Sequence, residues 1–429
     1  MRSALYGLMF SLAALGAPAA RAADAPAAPS ADQRGYIAAK LYSDLQAHFA
    51  HWQENEGVKL DDAFKAYLAK AMAAPDRLSF DLETISFLAQ FTGGRTGFSD
   101  GWLHEAYPAL PFSVRRVARD WVVTRSRLDA LKPGDVIVQI DGAAIENFYQ
   151  EHARFLSGGT DEARRAALFA MPSLFPAPST LGLADGRSVS VDAATAAPAP
   201  AAEVAGKWLK PDELGYIAIP AFDAPSETQA VELIKQYGAA STLVLDLRGA
   251  RGDAAPTALL AALMNRPYRG WAAATPASPQ PQARPANLPT VDGQPRVQRA
   301  DVIWPATVAQ PTADAYGRQL ILLIDNGCAG ACEDFVMPFK DNGRAVLIGE
   351  PTRGRTGTSL VEDLGDGMTA WISTASVSFP NGAPLSSAGI APDVAVAPGL
   401  SDLKAGLDPL IAKVLVQTAP GAQQDHRAP

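Results

Sequence analysis

Residues 325–335, Asp-Asn-Gly-Cys-Ala-Gly-Ala-Cys-Glu-Asp-Phe, hold both cysteines of the 429-residue chain within a run of small side chains. The run before them, 320–324, is continuously apolar and suited to a buried strand, and a helical pattern begins at 333–340. The small residues therefore fall at a helix N-terminus. Backbone N–H groups and the positive end of the helix dipole converge there, an arrangement that stabilises an oxyanion. The stretch reads as a turn built to present a nucleophile. Cys328 and Cys332 stand four residues apart, which on a helical turn puts their Cα atoms about 6 Å from each other, within disulfide reach. A disulfide is expected in an oxidising compartment. Two free thiols, a nucleophilic cysteine or a metal site are the alternatives. No histidine lies near the turn in sequence, and His48, His51, His104, His152 and His426 are scattered without ligand spacing. No metal and no cofactor is expected.

The turn resembles the serine-nucleophile motif of the C-terminal-processing or tail-specific protease family, whose members include the tricorn-protease core. There it commonly reads Ser-Ala-Ser-Ala-Ser-Glu, or Cys-Ala-Ser-Ala-Cys in one branch, and the middle serine attacks the peptide carbonyl. That serine falls at Gly330. Asp341-Asn342-Gly343-Arg344-Ala345, Ile348-Gly349-Glu350-Pro351-Thr352 and Ala388-Gly389-Ile390-Ala391-Pro392-Asp393 are similar to the family as well. The resemblance implies a serine peptidase ancestry over nearly all of the chain.

It also implies that the catalytic positions are substituted. One branch carries its histidine base in Asp-Gly-His-Thr; the matching Gly93-Gly94-Arg95-Thr96 places Arg95 there. The other branch uses a lysine in Phe-Gly-Lys-Gly, and Arg353-Gly354-Arg355-Thr356 places Arg355 there. An arginine stays protonated at any physiological pH and cannot take a proton from a hydroxyl. The oxyanion loop, Asp-Leu-Arg-x-Asn-x-Gly-Gly in the family, corresponds to 246–253, with Gly249, Gly252 and Ala331 as the expected donors. Ala250 replaces the asparagine and Asp253 the last glycine. The resemblance thus points to a pseudoprotease that binds a polypeptide or a partner protein. An active serine-type endopeptidase with an unrecognised nucleophile (Ser359, Ser378 or Ser386 with His104) and a non-enzymatic scaffold are the alternatives. The emptied turn and Arg95 could form an anion pocket, unless Asp253 fills it by pairing with Arg95.

Positioning these residues calls for a multidomain α/β chain. Apolar residues at four-residue spacing (Phe64, Leu68, Met72) predict an N-terminal helical domain over 23–100. His48, His51 and Trp52 are expected at a helix seam. Short strands over 111–195 resemble a PDZ domain: the Pro133-Gly134-Asp135 turn precedes a strand and the Asp141-Gly142 hairpin turn follows it. Residues 110–113 are the candidate carboxylate loop of that domain. Alternating strand and helix patterns over 207–399 support a layered βα core, which the resemblance makes crotonase-like. A linker is expected at 192–205, a long surface loop at 272–310, a closing helix at 400–417 and a disordered tail at 418–429.

Residues 1–22 read as a secretory signal peptide: Arg2, an apolar run too short to span a bilayer, and Ala20-Arg21-Ala22 as cleavage site. The net charge of −8 becomes −10 without this leader, since it carries Arg2 and Arg21 and no acid. So acidic a chain, lacking Lys/Arg clusters, is a poor nucleic-acid binder. The expectation is a secreted, periplasmic protein with no stable membrane span.

Overall fold

The structure, a computed structural model, describes residues 26–195, 202–276, 290–291, 294–295, 301–385 and 388–419. The signal peptide, Ser386 and nearly all of the expected tail lie outside them.

A six-stranded sheet forms the core, in the order Val394–Ala395, Val346–Gly349, Gln319–Ile324, Thr242–Asp246, Leu214–Ala218, Ala205–Lys210. Neighbours run parallel except the last pair, which is antiparallel. A sheet covered on both faces needs apolar side chains on both. Leu243, Leu245, Leu320, Leu322 and Ile324 accordingly point to one cluster, while Val244, Ile321 and Leu323 point to the other. The first cluster contains side chains of the helices Ala224–Gln236, Thr257–Leu263 and Ala331–Asn342; the second contains Leu410 and Val414 of Pro409–Gln417. The predicted closing helix is two helices, Leu400–Ala405 and Pro409–Gln417. Gly406, in the left-handed region at φ 64°, ends the first, and Pro409, capped by Asp408, starts the second.

The N-terminal helices Ala31–His48, Leu60–Ala73 and Arg77–Leu88 begin at clear signals where Ser30 and Asp76 cap the first and third. They do not close a core alone. Ile37, Leu41, Leu45, Phe80 and Phe87 share a cluster with Leu364, Met368, Ala370 and Ile372 of the hairpin Ser359–Gly365 and Met368–Ser373. The strand Gly97–Asp100 pairs antiparallel with that hairpin, Gly97 opposite Trp371.

Between these parts, an antiparallel sheet runs in the order Phe112–Val117, Asp120–Ser126, Val136–Ile140, Ser179–Leu183, Ser188–Val191. Asp141 and Gly142, at φ 49° and 80°, form the two-residue turn that pairs Ile140 with Ala143. Gly134, at φ 87°, lies against Lys404, where an added Cβ would come within 2.4 Å of Lys404 Cγ. Asp135 accepts from Lys132 N at 2.7 Å. Phe112 and Ser113, expected in a carboxylate loop, instead sit in a strand paired with Ser126 and Arg125. The expected loop at 272–310 also differs: Ala272–Pro276 pairs with Asp301–Trp304 on one side and Ser376–Ser378 on the other. Val302, Ile303 and Trp304 have the β-branched and aromatic character of a strand, which the surrounding prolines obscured.

Candidate functional site

Gly330 caps the helix Ala331–Asn342 with φ 61° and ψ −123°, a conformation that glycine adopts without strain. An added Cβ would meet the Gly252 carbonyl oxygen at 3.3 Å. The chain thus brings Gly330 beside Gly252, and Gly249 against Gly327, where a Cβ would strike Gly249 Cα at 2.5 Å. The Gly249 N–H is already engaged, donating to Asp325 Oδ1 at 2.8 Å. Cys328 and Cys332 are joined in a disulfide with Cα atoms 5.4 Å apart, and both are fully buried.

Glu333 ties the turn to the 352–355 loop. Its carboxylate accepts from Thr352 Oγ1 and Gly354 N, both at 2.6 Å, from Arg355 N at 2.8 Å and from Gly330 N at 3.3 Å. Burial pushes its proton affinity above that of an ordinary glutamate, while these four donors pull the other way. Asp334, likewise raised by burial, accepts from Thr356 Oγ1 at 2.6 Å and Trp271 Nε1 at 2.8 Å.

Arg95 does not face an empty pocket. Its guanidinium makes a two-pronged ion pair with Asp253, one contact being 3.1 Å, and lies 5.7 Å from the Trp371 ring centre. Arg355 donates to the Gly94 and Thr96 carbonyls, each at 3.3 Å, and Arg353 to the Asn326 carbonyl at 3.1 Å. Burial lowers the pKa of both, and neighbouring arginines add to it: Arg95 beside Arg355, Arg251 and Arg355 beside Arg353. Both remain cations at neutral pH. The serines weighed as alternatives are placed otherwise. Ser359 Oγ donates to the Arg95 carbonyl at 2.9 Å, Ser378 sits in the 376–378 strand, and His104 Nε2 meets Ser99 Oγ at 2.8 Å.

One arrangement escaped the sequence. His51 Nε2 lies 3.0 Å from Ser373 Oγ, and His51 Nδ1 lies 3.2 Å from Glu54 Oε1. The order serine, histidine, carboxylate has the connectivity of an acyl-transfer relay. Yet Ser373 is fully buried and the Gly94 backbone covers it: a Cβ on Gly94 would come within 2.0 Å of Ser373 Oγ. No carbonyl carbon can reach that oxygen. The three side chains instead hold the 93–96 loop from below, helped by Thr96 Oγ1, which accepts from Ser373 N at 3.1 Å. Only the His51–Glu54 spacing was local enough to notice; Ser373 arrives from a distant strand.

Pro133, Gly134, Asp135, Asp141 and Gly142 stand apart from this group, in the 112–191 sheet. Where that sheet's flank, the N-terminal region and the core meet, a cavity of about 510 Å³ opens beside the turn. Among the described residues, no group of three or more His, Cys, Asp or Glu side chains could hold a metal ion, and no helix is long and apolar enough to cross a membrane.

Residues 213–396, spanning the parallel sheet, the turn at Gly330 and the 352–355 loop, match peptidase family S41. The chain carries a peptidase S41 domain. It is 26% identical over 284 residues to the chloroplastic C-terminal processing peptidase of Tetradesmus obliquus, a match covering 62% of this chain and 53% of that relative. Over 83 residues it is 34% identical to the chloroplastic carboxyl-terminal-processing peptidase 3 of Arabidopsis thaliana, covering 19% of this chain and 16% of that one. The match thus spans about half the length of the algal relative and far less of the plant one. In fold the chain is similar to mature CPAF, with TM-score 0.65 at 15% identity over 90% of this chain and 98% of that one. It also resembles the photosystem II D1 C-terminal processing protease, with TM-score 0.51 at 19% identity over 92% and 98%. The multidomain α/β expectation and the likeness to tail-specific proteases therefore hold.

Proposed function

We propose that this S41 member is a pseudoprotease: an exported protein, led out by residues 1–22, that binds polypeptides or a partner protein without hydrolysing them. The observation that carries this reading is the chemistry at three positions. Gly330 has no hydroxyl at the helix N-terminus, and the two residues matched to a base, Arg95 and Arg355, are guanidiniums engaged with Asp253 and with backbone carbonyls. Nucleophile and base act as a unit, so the loss of both removes ordinary serine catalysis. Strand addition and shape recognition need no proton transfer. The 112–191 sheet, read as PDZ-like, offers the edge strand Phe112–Val117 for such pairing.

The test is labelling of the mature protein with a serine-directed fluorophosphonate, together with casein turnover. Neither should exceed background. Gly330→Ser should also stay unlabelled, because the restored hydroxyl has no base. Stoichiometric labelling abolished by changing one serine would overturn the reading.

A further inference from the structure

The cavity beside the turn has a mixed lining. Phe91, Phe98, Leu103, Phe155, Leu156 and Met171 contribute apolar surface, and Asn326, Arg353, Gly354 and Arg355 line it as well. Its volume of about 510 Å³ falls within the range that holds a small organic molecule. Among the described residues, neither Arg353 nor Arg355 has an ion-pair partner, and their side-chain hydrogen bonds go to the carbonyls of Asn326, Gly94 and Thr96. Both guanidiniums are partly desolvated and repelled by neighbouring arginines, Asp325 and Glu333 offset part of this, and a bound anion would offset more.

The nearby acids are committed elsewhere. Asp253 pairs with Arg95, Asp325 Oδ1 accepts from Gly249 N and Gly327 N, each at 2.8 Å, and Glu333 is saturated by its four donors. Beyond the arginines the lining is mostly apolar, broken by Thr92, Ser99, His104, Tyr107, Ser157 and Ser173, so a small hydrated anion would leave most of the cavity unfilled. A ligand that uses the whole cavity has one anionic end and an apolar body.

We propose that this cavity binds a monocarboxylate with an apolar body, the carboxylate on Arg353 and Arg355 and the body among the aromatic and aliphatic side chains. The proposal rests on the reading of this cleft as one that binds and does not cut, and it names the ligand class. Guanidinium–carboxylate contacts are the strong, charge-assisted kind, and replacing the acid by its amide removes them while keeping the shape.

The experiment is calorimetric titration of the full mature chain with 4-phenylbutyrate and with 4-phenylbutanamide. A second arm uses an N-acetyl tripeptide ending in phenylalanine, with a free or an amidated C-terminus, and shows whether the carboxylate is free or peptide-borne. The acid should bind at least about tenfold more tightly than its amide in one arm or both. Arg353→Gln should bring the acid down to the amide's level. Ala166→Trp, which places a large ring on the cavity wall, should weaken acid and amide together. Arg355→Gln also releases the Gly94 and Thr96 carbonyls, so thermal melts accompany it and Arg353→Gln carries the test if that variant unfolds. Equal affinity for acid and amide in both arms, or an acid preference untouched by Arg353→Gln in folded protein, overturns the proposal. No turnover is read here, so fluorophosphonate labelling alongside acid-selective binding would sink the pseudoprotease reading and leave this one standing.

Discussion

Replacing Glu333 by glutamine asks whether a buried carboxylate holds the turn and the 352–355 loop together. Two donors converge on each oxygen: Thr352 Oγ1 and Gly354 N on Oε1, Arg355 N and Gly330 N on Oε2. The amide of glutamine keeps one acceptor oxygen and turns an N–H group toward the other pair, so two buried donors lose their acceptor in either orientation. At about 1–3 kcal/mol for each unsatisfied buried group, the expected loss is about 2–6 kcal/mol. Relief of the desolvated charge trims this, and by an amount that depends on pH. Burial raises the folded-state pKa of Glu333. The group's titration therefore favours the folded wild type most below the ordinary glutamate value of about 4.3, and that advantage is lost as pH rises through the folded value. Glutamine has no such dependence. The stability gap between wild type and Glu333→Gln should be widest at acidic pH and narrow toward pH 8. Urea unfolding at pH 4.5, 6 and 8, followed by circular dichroism, measures it. A variant within about 0.5 kcal/mol of wild type at every pH would refute the account, because surface-like substitutions fall in that range.

Asp81, buried beside Asp100 and Arg77, has its pKa pushed up to about 9, first by burial and then by the Asp100 carboxyl. Its contribution is full below the unfolded value of about 4 and fades as pH rises toward the folded value, so Asp81→Asn should flatten the fall in stability between pH 5 and 9 in parallel urea titrations. Removing the disulfide by Cys328→Ser with Cys332→Ser opens a loop of sequence separation 4, and the chain-entropy relation gives a loss of about 2 kcal/mol by denaturant unfolding; no change would show that buried packing alone fixes the turn. Arg95 and Asp253 are both exposed, at 43% and 67% of their side-chain surface, so a double-mutant cycle to alanine should give a coupling of no more than about 1 kcal/mol that weakens in salt. A larger coupling would mean that solvent does not reach the pair.

Local patterns told most about segments whose determinants are local. The apolar run before the turn occupies the strand Gln319–Ile324, and the Asp141-Gly142 dipeptide sits at a two-residue hairpin turn, because parallel-sheet burial and a left-handed turn each leave a signature within a few residues. Distant pairings leave none. Ser373 reaches His51 across 322 positions, and the strand Ala272–Pro276 finds partners at Asp301–Trp304 and Ser376–Ser378 in a proline-rich neighbourhood that reads as loop. The pairing of Arg95 with Asp253 could be posed from sequence as a competition with ligand binding, but only the geometry places the two side chains together. The cavity was invisible for the same reason: its walls come from four separated stretches of chain, 85–109, 155–173, Asn326 and 353–355.

The hairpin Ser359–Gly365 and Met368–Ser373 closes the apolar floor beneath the N-terminal helices, and Gly97–Asp100 is stitched to its edge. That makes the first structural unit of the chain one of the last that can be completed. A polypeptide made from its N-terminus must hold Ile37, Leu41, Leu45, Phe80 and Phe87 without their final cover until Ile372 has been synthesised, a high contact order in a region of otherwise fast-forming helices. Fragments ending before that hairpin would carry an open apolar face, so the amino-terminal helices are not expected to fold as an independent module.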